Sequence, residues 1–209
     1  MQKARPAKRG RNNPEFHDED NRLVARYLSG EEKAFELLYK KYRTKLLRFI
    51  KDSIGDWEKS EDIVQETFIR VWRHLHRYDA SRKFSTWIYT IASNLCRNEL
   101  RNRSRNIVTI FRKITEDETE DRWIEFEDPR QDPEIAIRER EAKIVLATCL
   151  KQIPERRRRI FVLRRLEGHT IAETAKIMMC PRGTVKSGVS RTEDEIVELS
   201  RELIRREHT

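Results

Sequence analysis

The side chains best suited to specific chemistry lie together in residues 83–105, KFSTWIYTIASNLCRNELRNRSR. If this stretch is a helix, one of its faces carries polar groups in place of the Glu and Lys mixture of a solvated surface: Thr90, Asn94, Arg97, Asn98 and Arg101. An asparagine carboxamide can both donate to and accept from a base edge, and an arginine can bind phosphate. The pattern favours a surface that holds a nucleic-acid strand.

Other reactive side chains do not assemble into a catalytic set. Glu61, Asp62 and Glu66 could in principle bind Mg²⁺ as in a nuclease, but no basic or histidine partner accompanies them. His74 and His76 are two residues apart, hence on different sides of a helix. The cysteines are distant in sequence and are expected to be buried or idle thiols: Cys96, Cys149 and Cys180. The sequence predicts no enzyme, no metal site and no cofactor.

Charge is distributed in blocks along the 209 residues, whose net charge of +9 is typical of proteins that meet polyanions. The first twelve residues hold basic side chains and no acid, and residues 1–18 are expected to form a disordered basic arm. Between residues 115 and 134, ten acids face two arginines. With its two prolines, this region predicts a flexible acidic linker over residues 106–137.

No apolar run approaches the roughly 20 residues of a membrane span or the roughly 7 to 15 of a signal peptide core. The expectation is therefore a cytoplasmic protein without membrane insertion.

The elements that position the polar side chains are all predicted to be helices, because 3.6-residue periodicity recurs and strand-like alternation does not. One helix ends near Gly55, and Asp56 or Ser60 can cap the next. Core stripes are predicted on that next helix (Val64, Phe68, Val71, Trp72 and Leu75) and on the helix after it (Phe84, Trp87, Ile88, Ile91, Ala92 and Leu95). The fold class is all-α, with two small helical domains joined by the linker.

The sequence of the second domain, residues 138–209, predicts a helix-turn-helix. Thr170 and Glu173 form a capping box, and Pro181 suits the start of the last helix. One face of that helix is apolar, whereas the opposite face, small, polar and basic, suits the DNA major groove: Gly183, Lys186, Ser187, Ser190 and Arg191. Six upstream arginines could supply phosphate contacts: Arg156, Arg157, Arg158, Arg159, Arg164 and Arg165. A plain helical hairpin with a solvated basic face is the alternative.

Three motifs in order resemble the bacterial extracytoplasmic-function (ECF) sigma factors of the sigma-70 family. They are DIVQETFIRVW (62–72), FSTWIYTIASN (84–94) and GTVKS (183–187). The resemblance implies a dissociable subunit of bacterial RNA polymerase that directs transcription initiation. Domain 19–105 would bind core polymerase, read the −10 promoter element and stabilise the opened non-template strand, and domain 138–209 would read the duplex −35 element. It also implies an anti-sigma factor as a partner.

The resemblance extends to particular residues. It implies single-strand −10 contacts from the loop before the second motif and from the polar face of the helix that carries this motif: Tyr78, Lys83, Phe84, Thr90, Asn94, Arg97, Asn98 and Arg101. Expected −35 contacts are Arg182, Gly183, Thr184, Lys186, Ser187, Ser190 and Arg191. The family usually carries an arginine after the Lys-Ser pair, where this chain has Gly188, so a DNA contact is expected to be missing there.

One face of the helix over residues 62–75 sets an isoleucine among polar and charged groups and is expected to bind a protein: Asp62, Gln65, Glu66, Ile69 and Arg73. The resemblance names core RNA polymerase as that partner. The acids could instead only favour the helix N-terminal dipole. An alternative function is that of a repressor or activator that acts without polymerase and uses the helix-turn-helix alone. For the acidic linker, the alternative is a simple spacer.

Overall fold

The computed structural model describes residues 14–105 and 133–207, and within them every regular element is helical. The helices are α1 (Pro14–Leu28), α2 (Glu32–Ile54), α3 (Trp57–His74), α4 (Phe84–Arg105), α5 (Pro133–Gln152), α6 (Glu155–Phe161), α7 (Ile171–Met178) and α8 (Arg182–Glu207). A 3-10 turn follows α3, and a π-helical segment, Val162–Leu166, follows α6. The predicted all-α class is confirmed.

The first half packs α1, α2, α3 and α4 around one core. Gly55 ends α2 in the left-handed conformation, where its amide donates to the Lys51 carbonyl, and Asp56 caps α3 by accepting from the Lys59 amide at 3.0 Å. Asp20 fastens α1 to α2, because its buried carboxylate accepts from the Tyr42 hydroxyl and lies 2.7 Å from Lys41 Nζ. The predicted end of α2 at Gly55 is confirmed, and of the two predicted caps of α3, Asp56 or Ser60, the structure shows Asp56.

The second half builds a small core from α6, α7 and α8 around Ile160, Val185 and Val189. The capping box is present at the start of α7: Glu173 N donates to Thr170 Oγ1 at 3.2 Å, and Thr170 N donates to the Glu173 carboxylate at 2.6 Å. Helix α5 packs along α8: Leu146 and Leu150 of α5 share an apolar cluster with Ile196 and Leu199 of α8, which Ile153 and Phe161 complete.

The two halves are docked rather than separate. Leu163 and Ile177 of the second half belong to the core of the first, and His169 is fully buried with its ring 5.5 Å from that of Tyr89 and Nδ1 3.3 Å from Thr86 Oγ1. Ion pairs join the halves at Asp52–Arg158 (3.1 Å), Lys45–Glu167 (2.8 Å) and Lys83–Glu173 (3.5 Å).

The predicted burial of Trp72 is wrong, and two helices begin inside segments that were predicted to be non-helical. Trp72 was placed in the core stripe of α3 but is 56% exposed, because the α2 and α4 contacts of α3 are filled by Val64, Phe68 and Val71. Helix α1 begins at Pro14, inside the stretch predicted to be a disordered arm, and α5 begins at Pro133, inside the predicted linker. Residues 1–13 and most of the linker, residues 106–132, lie outside the described residues.

In residues 14–105 and 133–207, no helix combines the length and the apolar character that crossing a bilayer requires.

Candidate nucleic-acid and protein interfaces

Helix α4 presents its polar face beside the core. Phe84, Ile88 and Ala92 are buried on one side, which turns the predicted strand-holding side chains outward. Thr90 and Asn94 are half-buried, whereas the residues nearer the helix C-terminus are exposed: Arg97, Asn98 and Arg101. Thr90 Oγ1 donates to the Thr86 carbonyl at 2.6 Å, so its hydroxyl is held by its own helix. The accessible chemistry of this face is therefore an alternation of amide and guanidinium groups.

The loop between the 3-10 turn and α4, residues 78–83, leads into that face. It is a tight turn in which the Arg82 amide donates to the Asp79 carbonyl and the Ser81 amide donates to Asp79 Oδ1, both at 3.0 Å. The Asp79 carboxylate also pairs with Arg82, and these partners, Ser81 first, hold the pKa of Asp79 below its usual value. The turn therefore keeps its own shape.

Two residues predicted to touch DNA are part of the protein framework. Phe84 is 1% exposed and packs against Tyr42, Tyr78 and Trp87, so it is not an accessible DNA contact, because an apolar ring at the start of α4 completes the core. Tyr78 is half-buried, packs edge-on against Phe84 and at a tilt against Trp87, and donates its hydroxyl to Asn21 Oδ1 at 2.9 Å. Burial raises the pKa of Tyr78 well above its usual value. Trp87 is half-buried, as the predicted core anchor should be.

Lys83 is not a free cation in this arrangement. Its side chain is largely covered and lies 3.5 Å from the Glu173 carboxylate of α7. Docking of the second half therefore hides one predicted phosphate contact and leaves Arg97 and Arg101 exposed.

The predicted protein-binding face of α3 lies on the surface as a unit. Asp62, Gln65 and Arg73 are exposed, Glu66 is partly exposed, and Ile69 is 41% exposed. The wrongly assigned Trp72 lies next to Ile69 and Gln65 on this face. Sequence reasoning missed Trp72 because its spacing fits the core stripe as well as it fits the edge of the face.

The carboxylates considered for Mg²⁺ binding are each engaged with a cation. Glu61 lies 3.3 Å from Arg43, Asp62 lies 3.2 Å from Lys59, and Glu66 lies 2.6 Å from Arg70. Within the part of the chain that the structure describes, no three His, Cys, Asp or Glu side chains gather as metal ligands would. Each of these three carboxylates therefore has a cationic side chain as its partner.

Helix α8 exposes the predicted groove-facing residues near its N-terminus. Arg182, Gly183, Lys186, Ser187, Ser190 and Arg191 are exposed, and Thr184 is half-buried. No ion pair engages Arg182, Lys186 or Arg191 with any described residue. These three cations are thus available to an anionic partner.

Gly188 lies on the other side of α8. It is buried, and a Cβ placed on it would lie 3.5 Å from Cδ1 and Cγ2 of Ile160. The expectation that Gly188 removes a DNA contact is wrong for this structure, because position 188 faces the helical core and not the exposed groove-facing side.

The six upstream arginines are mostly internal partners, contrary to prediction. Arg157 pairs with Glu195, Arg158 with Asp52 and Arg165 with Glu193. Arg164 donates to the His169 carbonyl, and Arg159 lies 4.3 Å from the Phe49 ring centroid with burial lowering its pKa. Only Arg156 is left as an exposed candidate for phosphate among these six described residues.

Comparison with known proteins identifies the family. Residues 38–106 match the family described as Sigma-70 region 2, and residues 143–196 match Sigma-70, region 4. The RNA polymerase sigma-H factor of Pseudomonas aeruginosa is 32% identical over 191 residues, which cover 90% of this chain and 97% of that protein. The chain is an ECF sigma factor of the sigma-70 family. The ECF RNA polymerase sigma-E factor of Escherichia coli K12 is 32% identical over 187 residues, covering 90% of this chain and 97% of the relative.

Solved structures share the sigma factor's fold. CnrH in complex with the cytosolic domain of CnrY aligns with a TM-score of 0.53 at 22% identity, over 87% of this chain and 97% of that one. The sigma factor RpoE from Bartonella quintana, solved with the anti-sigma factor NepR, aligns with a TM-score of 0.58 at 23% identity, over 80% and 96%. The predicted family is confirmed, and with it the role: this sigma factor directs promoter-specific transcription initiation.

Proposed function

We propose that the two halves of this sigma factor divide promoter recognition between them. Residues 19–105 bind core RNA polymerase, read the −10 element and hold the opened non-template strand, and residues 138–209 read the duplex −35 element. Residues 106–137 connect them. The observation that carries the proposal is the exposed row of amides and guanidinium groups on α4, set directly beside the turn at residues 78–83.

Strand opening is proposed to proceed by binding rather than by chemistry. Unstacking a base costs a few kcal/mol, and a protein that holds the exposed base and its phosphates offsets that cost. In this chain Asn94 and Asn98 are proposed to meet base edges, while Arg97 and Arg101 hold phosphates. Lys83 joins them only when it is released from Glu173.

Core polymerase is proposed to bind the α3 face formed by Asp62, Gln65, Glu66, Ile69 and Arg73, extended by Trp72. Trp72 and Ile69 lie side by side on the surface, and a partner that covers them would bury both as apolar anchors of the interface. The charged residues around them would form its polar rim. The acids of this face, Asp62 and Glu66, differ in sign from the net charge of +9 that the whole protein carries.

The −35 element is proposed to meet the exposed N-terminal face of α8, with Lys186 and Arg191 as base or phosphate contacts and Arg182 as a phosphate contact. An anti-sigma factor is a further proposed partner, since the RpoE structure with the same fold was solved with one.

The experiment that tests the function is transcription from fragmented genomic DNA by purified core polymerase of the same organism, with and without this protein. We expect new start sites that depend on the protein and share a pair of upstream elements. Binding of the protein to DNA without any dependent start site would favour the repressor interpretation and contradict the proposal.

A further inference from the structure

Asn21 of helix α1 is hydrogen-bonded to the proposed −10 loop. Its Nδ2 donates to the Ala80 carbonyl at 3.0 Å, and its Oδ1 accepts from the Tyr78 hydroxyl at 2.9 Å. Both ends of one carboxamide are therefore bonded to the same loop, 57 and 59 residues further along the chain. The Tyr78 hydroxyl is also within hydrogen-bonding distance of the Arg82 carbonyl, so Asn21 and Tyr78 together engage the loop on both sides of its turn.

The other end of this connection is fixed. The residue before Asn21 is Asp20, whose buried carboxylate accepts from Tyr42 and pairs with Lys41 on α2, while Glu19 lies 2.6 Å from the same lysine. Leu23 and Val24 anchor the next turn of α1 in the core. Asn21 thus extends from a helix that cannot shift without breaking buried polar contacts.

Among the described residues of the first half, the loop has few other restraints from outside itself; the Lys83–Glu173 pair comes from the second half. Its internal bonds, from the Asp79 side chain and carbonyl, set the turn but not its orientation relative to α4. Its exposed side, together with Asn21, Lys83 and Thr86, borders an open cleft of about 490 Å³. Within the first half, orientation of the turn relative to α4 therefore depends on Asn21 and on the ring of Tyr78, which packs on Phe84 and Trp87.

We propose that Asn21 is a positioning residue for base recognition: it holds the 78–83 loop in the orientation that discriminates one base of the opened −10 strand. The inference rests on the proposed function. The carboxamide is required because it donates and accepts at the same time. An aspartate keeps the acceptor for Tyr78 but sets a second oxygen against the Ala80 carbonyl, and an alanine removes both bonds.

The test uses the full chain assembled with core polymerase of its own organism. A single-stranded DNA pool with randomised positions is selected on the wild-type holoenzyme, and the probes are the selected oligonucleotide and its single-base variants. For Asn21→Ala we expect affinity for the selected oligonucleotide to fall about tenfold. Affinity for the oligonucleotide mismatched at the discriminated base should fall less. The ratio of the two affinities, which measures discrimination at that position, should therefore approach one. Asn21→Asp should be at least as impaired.

Two further variants separate positioning from simple destabilisation. Tyr78→Phe keeps the ring packing, should shift discrimination at the same position, and should be less than additive with Asn21→Ala because both act on one loop. Ser29→Ala, which removes a hydrogen bond to the Arg26 carbonyl at the far end of α1, should leave discrimination unchanged. Unchanged discrimination in Asn21→Ala, or an equal fall for every oligonucleotide, would overturn the inference alone. A wild-type holoenzyme that selects no sequence would overturn the proposed function with it.

Discussion

At the scale of single residues, Gly188 shows how a departure from a family pattern takes its meaning from the side of the helix on which it lies. The position is inside α8 and faces Ile160. A glycine there costs the helix about 1 kcal/mol relative to alanine. The added Cβ of an alanine would make ordinary van der Waals contact with Ile160 at 3.5 Å.

We expect Gly188→Ala to raise the free energy of unfolding by about 1 kcal/mol and to leave binding of −35 duplex DNA unchanged. Thermal or urea unfolding measures the first effect and a duplex binding assay the second. The matched control is Gly183→Ala, on the exposed groove-facing side with nothing within 4 Å of an added Cβ. A drop in stability for Gly188→Ala would contradict the ordinary contact expected with Ile160, and weaker duplex binding would contradict the inward orientation of position 188.

Cys96 offers a residue-scale prediction on pH. Burial raises the pKa of its thiol to about 11, and the thiolate is the reactive form, so about one molecule in a thousand is reactive at pH 8. We expect iodoacetamide to label half-buried Cys180 well before Cys96 in the folded protein, as followed by mass spectrometry. Labelling of Cys96 should accelerate as the pH rises toward 11 and on unfolding. Equal rates at pH 8 would contradict its burial.

At the scale of helices, substitutions on the face of α3 and on the face of α8 should impair different binding activities. Ile69→Glu places a carboxylate in the proposed polymerase contact beside Trp72, and we expect it to weaken core polymerase binding by at least tenfold, since burying an unpaired charge is costly. Duplex DNA binding should be unaffected. Unimpaired assembly with core polymerase, measured by fluorescence anisotropy, would exclude this face.

The reciprocal change is made on α8. Lys186→Ala with Arg191→Ala removes two exposed cations that have no ion-pair partner among the described residues. We expect weaker duplex promoter binding and a shallower dependence of that binding on salt, because fewer counterions are released. Core polymerase binding should remain. Equal loss of both activities would contradict the division of roles between the two halves.

Helix faces and caps were predictable because they depend on local spacing. The capping box at Thr170, the end of α2 at Gly55 and the buried stripe of α8 all follow from short-range sequence patterns. Trp72 could not be assigned correctly from spacing, because whether an apolar residue at a stripe edge is buried depends on where neighbouring helices pack. The roles of Asn21 and of Arg158 depend on partners 57 and 106 residues away, which no local pattern reveals.

At the scale of the whole molecule, docking of the halves rests on a few buried polar contacts and a shared apolar core. Arg158 Nε and Nη2 each lie 3.1 Å from the Asp52 carboxylate, and Arg159 stacks on Phe49 beside them. Burial raises the pKa of Asp52 even with Arg158 adjacent, so the carboxylate is held at a desolvation cost. Removal of either partner should therefore loosen the docked form.

We expect Asp52→Lys to separate the halves, because it sets a third cation against Arg158 and Arg159. The radius of gyration from small-angle X-ray scattering should rise, and the exchange Asp52→Lys with Arg158→Glu should bring it back. Glu195→Ala, which breaks the Arg157 pair inside the second half, is the matched control and should leave the radius unchanged. A compact Asp52→Lys variant would show that the apolar contacts hold the halves together without the ion pair.

Docking also limits how far the protein can reach. The −10 and −35 elements lie about 25 base pairs apart, or about 85 Å along B-form DNA, whereas a compact chain of this length is only about 40 Å across. A docked molecule can therefore touch one element but not both. The 27 residues from 106 to 132 could span at most about 90 Å when fully extended. To engage both promoter elements, the two halves must separate. The side chains of Tyr89, Leu163 and Ile177, which now pack in one core, would then contact water or a new partner.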